Sequence, residues 1–161
     1  MKNNNLELKM YFFTIYQLSG IQAGIQCGHA ALEYAKTYGD TELFKDFVEN
    51  HKTWIILNGG TTNSSRDFKG EVSGSLNKIC DTLSDHDIKY SVFCEPDLEN
   101  ALTAVCFIAD ERVYNYEKYP DYEDAVKNNM WGGINYKDWV IFMGGDKNVF
   151  LRELIKGKKL A

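Results

Sequence analysis

Two small groups of residues in this chain have the types and spacing for chemistry. Gln22, Gln26 and His29 recur at i, i+4 and i+7, which brings them together on one side of a helix. Glu95 and Asp97 flank Pro96 at the end of an apolar run. Two neighbouring carboxylates can hold separated pKa values and divide acid and base roles. A carboxylate beside His29 sets the imidazole tautomer and makes the ring a general base for water. The amides of Gln22 and Gln26 are suited to a base edge, a ribose or a phosphate. Each group also has a plainer reading. His29 then packs in a helix with one satisfied hydrogen bond, and the glutamines are polar helix surface. Asp97 then caps a short turn, with Glu95 solvated.

A third candidate is the loop Asn58 to Ser65, dense in glycine, amide and hydroxyl residues. Gly59, Gly60 and Thr61 are expected to line a nest of backbone N–H groups for a ligand phosphate, with Arg66 as the nearby cation. The Walker pattern is not present. The competing reading is a surface loop. Tyr114, Tyr116, Tyr119, Tyr122 and Trp131 are placed to stack on bases or, more ordinarily, to pack and form a protein contact surface. Lys156, Lys158 and Lys159 read as a solvated helix end rather than a phosphate site. Cys27, Cys80, Cys94 and Cys106 share no ligand spacing with His29, His51 or His86, so neither a metal nor a cofactor is expected. All four cysteines read as reduced thiols in a cytoplasmic protein, those at 94 and 106 as small hydrophobes in strands.

The formal net charge of −5 argues against general duplex nucleic-acid binding, which needs clustered Lys and Arg. No apolar run reaches the length of a membrane span, and the first residues lack the apolar core of a secretory signal.

The elements that must position these residues follow from periodicity. Strands are predicted over Lys9–Tyr16, Thr53–Leu57, Lys89–Cys94 and Leu102–Ile108, the last two paired directly. A helix is predicted over Gly20–Tyr38, closed by Gly39, with an apolar stripe at Ile21, Ile25, Gly28, Leu32 and Ala35. Asp40 is expected to cap a short second helix that buries Leu43, Phe44, Phe47 and Val48. A third helix, from Gly70 or Ser73 to Asp85, buries Val72, Leu76, Ile79 and Leu83. Beyond Ala109 the chain reads as an aromatic-rich excursion with a helix near Tyr122–Met130. A strand is favoured over a helix at Trp139–Met143, and a last helix at Lys147–Ile155. The order predicts an α/β fold: a three-layer sandwich with a mixed, roughly four-stranded sheet flanked by helices. The chain is read as a single domain, with a core over residues 6–110 and an extension over 111–161.

The run Gly24-Ile25-Gln26-Cys27-Gly28-His29-Ala30-Ala31-Leu32 after an apolar strand resembles the first helix of the type II peptidyl-tRNA hydrolases, which carry a similar A-Q-C-x-H-A core. Phe93-Cys94-Glu95-Pro96-Asp97-Leu98 followed by Leu102-Thr103-Ala104 resembles divergent members with an E-P-D-L turn. The likeness covers about Lys9 to Ile108. It implies a four-stranded mixed sheet, and a cleft where the start of the first helix meets the turn after the third strand. It also implies hydrolysis of the ester between a peptide and the terminal ribose of tRNA, and in that family a lysine, an aspartate and a threonine carry the site. Here the lysine-bearing turn falls on Gly20-Ile21-Gln22, the aspartate near Glu95 and the threonine near Leu98 or Glu99.

The expected function is therefore ester hydrolysis on an aminoacyl or nucleotide-bearing substrate. His29 or Glu95 would activate water, and the oxyanion would sit at the first helix's N-terminus. The alternative is a catalytically altered module that binds a nucleotide or tRNA end. It could be a viral counter-defence protein that binds or cleaves a cyclic oligonucleotide signal. A homodimer is expected from the family likeness alone.

Overall fold

A computed structural model describes residues 5–62 and 74–161 of the chain. Its contacts group into two compact units, one of Lys9–Ile108 with Lys158–Ala161, the other of Met1–Leu8 with Ala109–Gly157.

The first unit is an α/β sandwich on a four-stranded mixed sheet. Strands β1 (Leu8–Ile15), β2 (Thr53–Gly60), β3 (Tyr90–Glu95) and β4 (Ala101–Asp110) lie in the order β2-β1-β4-β3. β1 pairs with β2 in parallel and β3 with β4 antiparallel. The two central strands are buried at every position but Lys9 and Asp110, as their unbroken apolar runs require of strands covered on both faces. Helix α1 (Gly20–Tyr38) covers one face: the Cys106 thiol donates to the Ala30 carbonyl at 3.4 Å. On the other face Phe107 meets Tyr11 and Phe13. There α3 (Ser75–Asp85) brings Leu76 against Gly59, where a Cβ would lie 2.7 Å from Leu76 Cδ1 and 3.1 Å from Phe13 Cβ. Leu76, Ile79 and Leu83 are buried as the 3.6-residue period predicts; Val72 lies outside the described residues.

Helix α1 departs from the sequence reading. It buries Ala23, Gln26, Cys27, Ala30 and Tyr34, whereas Ile21, Ile25 and Leu32 are 79%, 51% and 70% exposed. Three of these five inner residues are small, which suits close packing on the sheet, and the larger apolar stripe is left on the outer face. Gly39 follows α1 in right-handed geometry (φ −59°), not in the left-handed cap expected. The second helix, α2 (Glu42–Asp46), is capped by Thr41 rather than Asp40: its hydroxyl accepts from the Phe44 N–H at 3.3 Å. A π-helical turn, Phe47–His51, extends it. Of the four residues expected to be buried there, only Phe47 is; Leu43 and Val48 are 41% and 43% exposed.

The second unit is helical: α4 (Glu111–Tyr114), α5 (Tyr122–Lys127), α6 (Tyr136–Phe142) and α7 (Asp146–Ile155), with a short 3₁₀ turn at Met130–Gly132. The segment favoured as a strand is α6. Asn135 caps it by accepting from the Asp138 N–H at 2.9 Å. Trp139 and Met143, four apart, are buried with Tyr119, Ala125 and Ile134, while Ile141 is exposed, so a helical rather than a two-residue period governs.

All four cysteines are free thiols. Burial pushes Cys27, Cys80 and Cys106 up to about 12; Cys94, expected in the interior, is exposed. Among the described residues no helix is long and apolar enough to cross a membrane.

Candidate functional site: a buried relay ending at Glu95

Gln26 is the centre of the site. It lies one and a half turns into α1 on the sheet-facing side, 8% exposed. Its carboxamide Nε2 donates to Glu95 Oε2 at 2.6 Å, and its Oε1 accepts the Thr103 hydroxyl. The Thr14 hydroxyl in turn donates to the Thr103 carbonyl at 2.9 Å. A buried carboxamide left unpaired costs about 1–3 kcal/mol, so each link fixes the next.

A break in strand register makes this arrangement. Phe93 pairs with Ala104, but Cys94 pairs with Leu102, so Thr103 is an extra residue in β4. A bulge of this kind re-aims a side chain, and here it points the Thr103 hydroxyl at α1. Its alternative acceptor, the Phe93 carbonyl, lies at 3.2 Å.

Glu95 ends β3 and caps the 3₁₀ turn Pro96–Leu98, accepting from the Asp97 N–H at 3.4 Å with its other oxygen. The capping residue of this turn is thus Glu95, not Asp97. Glu99 and Asn100 follow in left-handed geometry (φ 56° and 59°), which folds the chain back so that Ala101 stands opposite Glu95. Beside this turn is an open cleft of about 470 Å³, lined by Ile15, Gln17, Thr62, Asp97, Leu98 and Glu99 together with Ala101. Among the described lining residues Asp97 and Glu99 are the charged groups, so the cleft favours a cation or hydroxyls over phosphate.

The other sequence-predicted residues fall elsewhere. Gln22 closes a capping box: the Ser19 Oγ accepts the Gln22 N–H at 3.3 Å, and the Gln22 Oε1 accepts the Ser19 N–H at 3.0 Å. His29 stacks on Phe93, centroids 4.5 Å apart, and no hydrogen bond between it and Glu95 or Asp97 is found among the described residues. Gly59, Gly60 and Thr61 have their polar backbone groups committed within the fold. Ser75 Oγ donates to the Gly59 carbonyl at 2.6 Å and accepts the Thr61 N–H at 2.9 Å. The Gly60 N–H goes to Asn58 Oδ1 at 2.8 Å, and Gly60 needs its φ of +83° to make the turn. Arg66 and the loop from Asn63 onward lie outside the described residues. In the second unit Tyr119 is buried, Tyr116 stacks on the Arg152 guanidinium at 4.1 Å, and Tyr122 packs on Tyr136 and Trp139. Trp131 remains 61% exposed. Lys156 is paired with Asp121 at 3.0 Å. No cluster of three or more metal-ligating side chains occurs among the described residues.

Sequence reasoning missed Thr103 and Ser19. A lone threonine inside the apolar run Leu102–Ile108 was the available signal for the first. The spacing Ser19-x-x-Gln22, a capping box, was the signal for the second. Compared with models of known protein families and with curated proteins, the chain matches none.

Proposed function

We propose that this protein is a divergent hydrolase of the type II peptidyl-tRNA hydrolase kind, cleaving an ester of an aminoacyl or nucleotide-bearing substrate at the turn that Glu95 caps, whose residues Asp97, Leu98 and Glu99 line the open cleft. The observation that carries the reading is the Thr103–Gln26–Glu95 chain. A general base must be held by a second group that is itself oriented, and Gln26 does this for Glu95. In the reaction Glu95 takes a proton from water, and the oxygen adds to the ester carbonyl. The tetrahedral intermediate then expels the ribose alkoxide, which takes the proton back from Glu95. The products are a carboxylic acid and an alcohol. Asp97, in the cleft lining, suits the α-ammonium of an aminoacyl ester. The stack on Phe93 favours His29 as a support for α1, with Glu95 as the base.

The test is hydrolysis of an aminoacyl-tRNA, a peptidyl-tRNA and a small aminoacyl ester by wild type and Glu95→Gln. Turnover should fall by at least about a hundredfold in the variant, with its circular dichroism unchanged. Wild-type protein that leaves all three substrates intact sinks the reading. A nucleotide that raises the melting temperature and is recovered whole would instead favour a binding module.

A further inference from the structure

Beyond this reading, we propose that the groove on the outer side of α1 binds a single-chain carboxylate amphiphile, with its hydrocarbon along α1 and its head at Lys52. The groove has a volume of about 750 Å³, within the range of small-molecule sites. One wall is the α1 stripe from Ile25 to Ala35, about 15 Å long, the reach of a medium hydrocarbon chain. Phe44, Phe47 and Val48 form the other wall, and Met10 and Trp54 the floor. Ile25, Leu32 and Trp54 are 51%, 70% and 41% exposed, a contiguous apolar surface left in water.

Three features show a shaped site rather than a thinly covered core. Gly28 lines the groove from mid-helix, and a Cβ there would meet nothing within 4 Å. Packing does not require glycine at this position, which is unfavourable in a helix interior, and any side chain would occupy the groove. The wall includes a π-helical turn, a rare geometry often found at functional sites. That turn ends on Lys52 in left-handed backbone (φ 61°), a conformation that favours glycine, yet a lysine stands there. Among the described residues its ammonium reaches only the Glu49 carbonyl, at a long 3.4 Å. Among the described lining residues Lys52 and His29 are the ionisable side chains, and none is a carboxylate. Apolar walls with a cationic end complement a hydrocarbon with an anionic head.

Dodecanoate and dodecanol, each below its aggregation concentration, are titrated into the full chain. Tryptophan emission and calorimetry are read, with Trp54→Phe identifying the groove's share of the emission. Saturable dodecanoate binding sensed by Trp54 is expected, weakened about tenfold or more by Gly28→Leu. Leu32→Glu serves as a second blocking variant should Gly28→Leu fail to fold. Lys52→Met should weaken dodecanoate about tenfold and leave dodecanol unchanged. The proposal is overturned by any of three results: no saturable response, equal affinity of wild type for acid and alcohol, or a concentration-dependent dimer in sedimentation that the blocking variants abolish. The last result would assign the groove to a second copy of the chain.

Discussion

The first unit buries Gln26 and the second buries Arg152, and the two polar groups are handled in opposite ways. The Gln26 network is neutral until its last member. It starts at Thr14, passes through the bulge at Thr103 and ends on the Glu95 carboxylate, at the head of the turn whose later residues line an open cleft. The Arg152 network is charged and closed. The guanidinium is 0% exposed, bound to Asp121 at 2.7 Å and to the Arg112 carbonyl at 3.2 Å, and stacked on Tyr116. Its Nη2 has no hydrogen-bond partner among the described residues. A neutral chain is cheap to bury and can deliver a positioned oxygen to the surface. A buried cation must be paired, and removing its partner is strongly destabilising.

Three outcomes would sharpen or break this contrast. The largest effect is expected from Asp121→Ala, which leaves the Arg152 charge buried without its carboxylate. Urea unfolding should show a loss of about 3–5 kcal/mol, with the Glu95 site unaffected. A loss under about 1 kcal/mol would mean that the pair is not the staple described. Gln26→Leu should cost less, about 1–3 kcal/mol, because Thr103 can turn to the Phe93 carbonyl while Glu95 loses its donor. Its signature is lost ester turnover in a folded protein; full turnover would detach Gln26 from the chemistry. The smallest effect is on pH dependence. Burial pushes the Asp121 carboxyl up, but hydrogen bonds and charge from Arg152 and Lys156 outweigh it and hold the group below its usual 3.8. The folded value is the lower one, so the carboxylate's contribution is complete well above pH 3.8 and lost as pH falls through the folded value. The stability gap between wild type and Asp121→Ala should therefore narrow in acid. A gap independent of pH would show that the charge does not matter.

The sheet and most helix limits of the first unit were legible because periodicity and turn residues agree there. The orientation of α1 was not. Ala23, Cys27, Ala30 and Tyr34 repeat as regularly as Ile21, Ile25, Gly28 and Leu32, and period alone cannot say which stripe meets the sheet. The stripe that meets the sheet carries three small residues, Ala23, Cys27 and Ala30, alongside Gln26 and Tyr34. α6 was obscured by its composition: Trp, Val, Ile and Phe favour strands, and tertiary packing overrode that preference. The acidic pair at the Pro96 turn was readable, but its connection to Gln26 was not. A bulge that re-aims Thr103 leaves no mark on the spacing of apolar residues.

The residues at the end of the described chain have a consequence of their own. Leu160 bridges antiparallel to Leu57, with the Asn58 N–H donating to the Lys159 carbonyl at 2.9 Å and the Ala161 N–H to the Ile56 carbonyl at 3.0 Å. β2 is an edge strand of the sheet, and unpaired edges invite other chains to add strands. These few residues act as a guard rail: they occupy the Ile56–Asn58 stretch of the edge, so a segment remote in sequence from the strand closes that stretch to pairing by another chain.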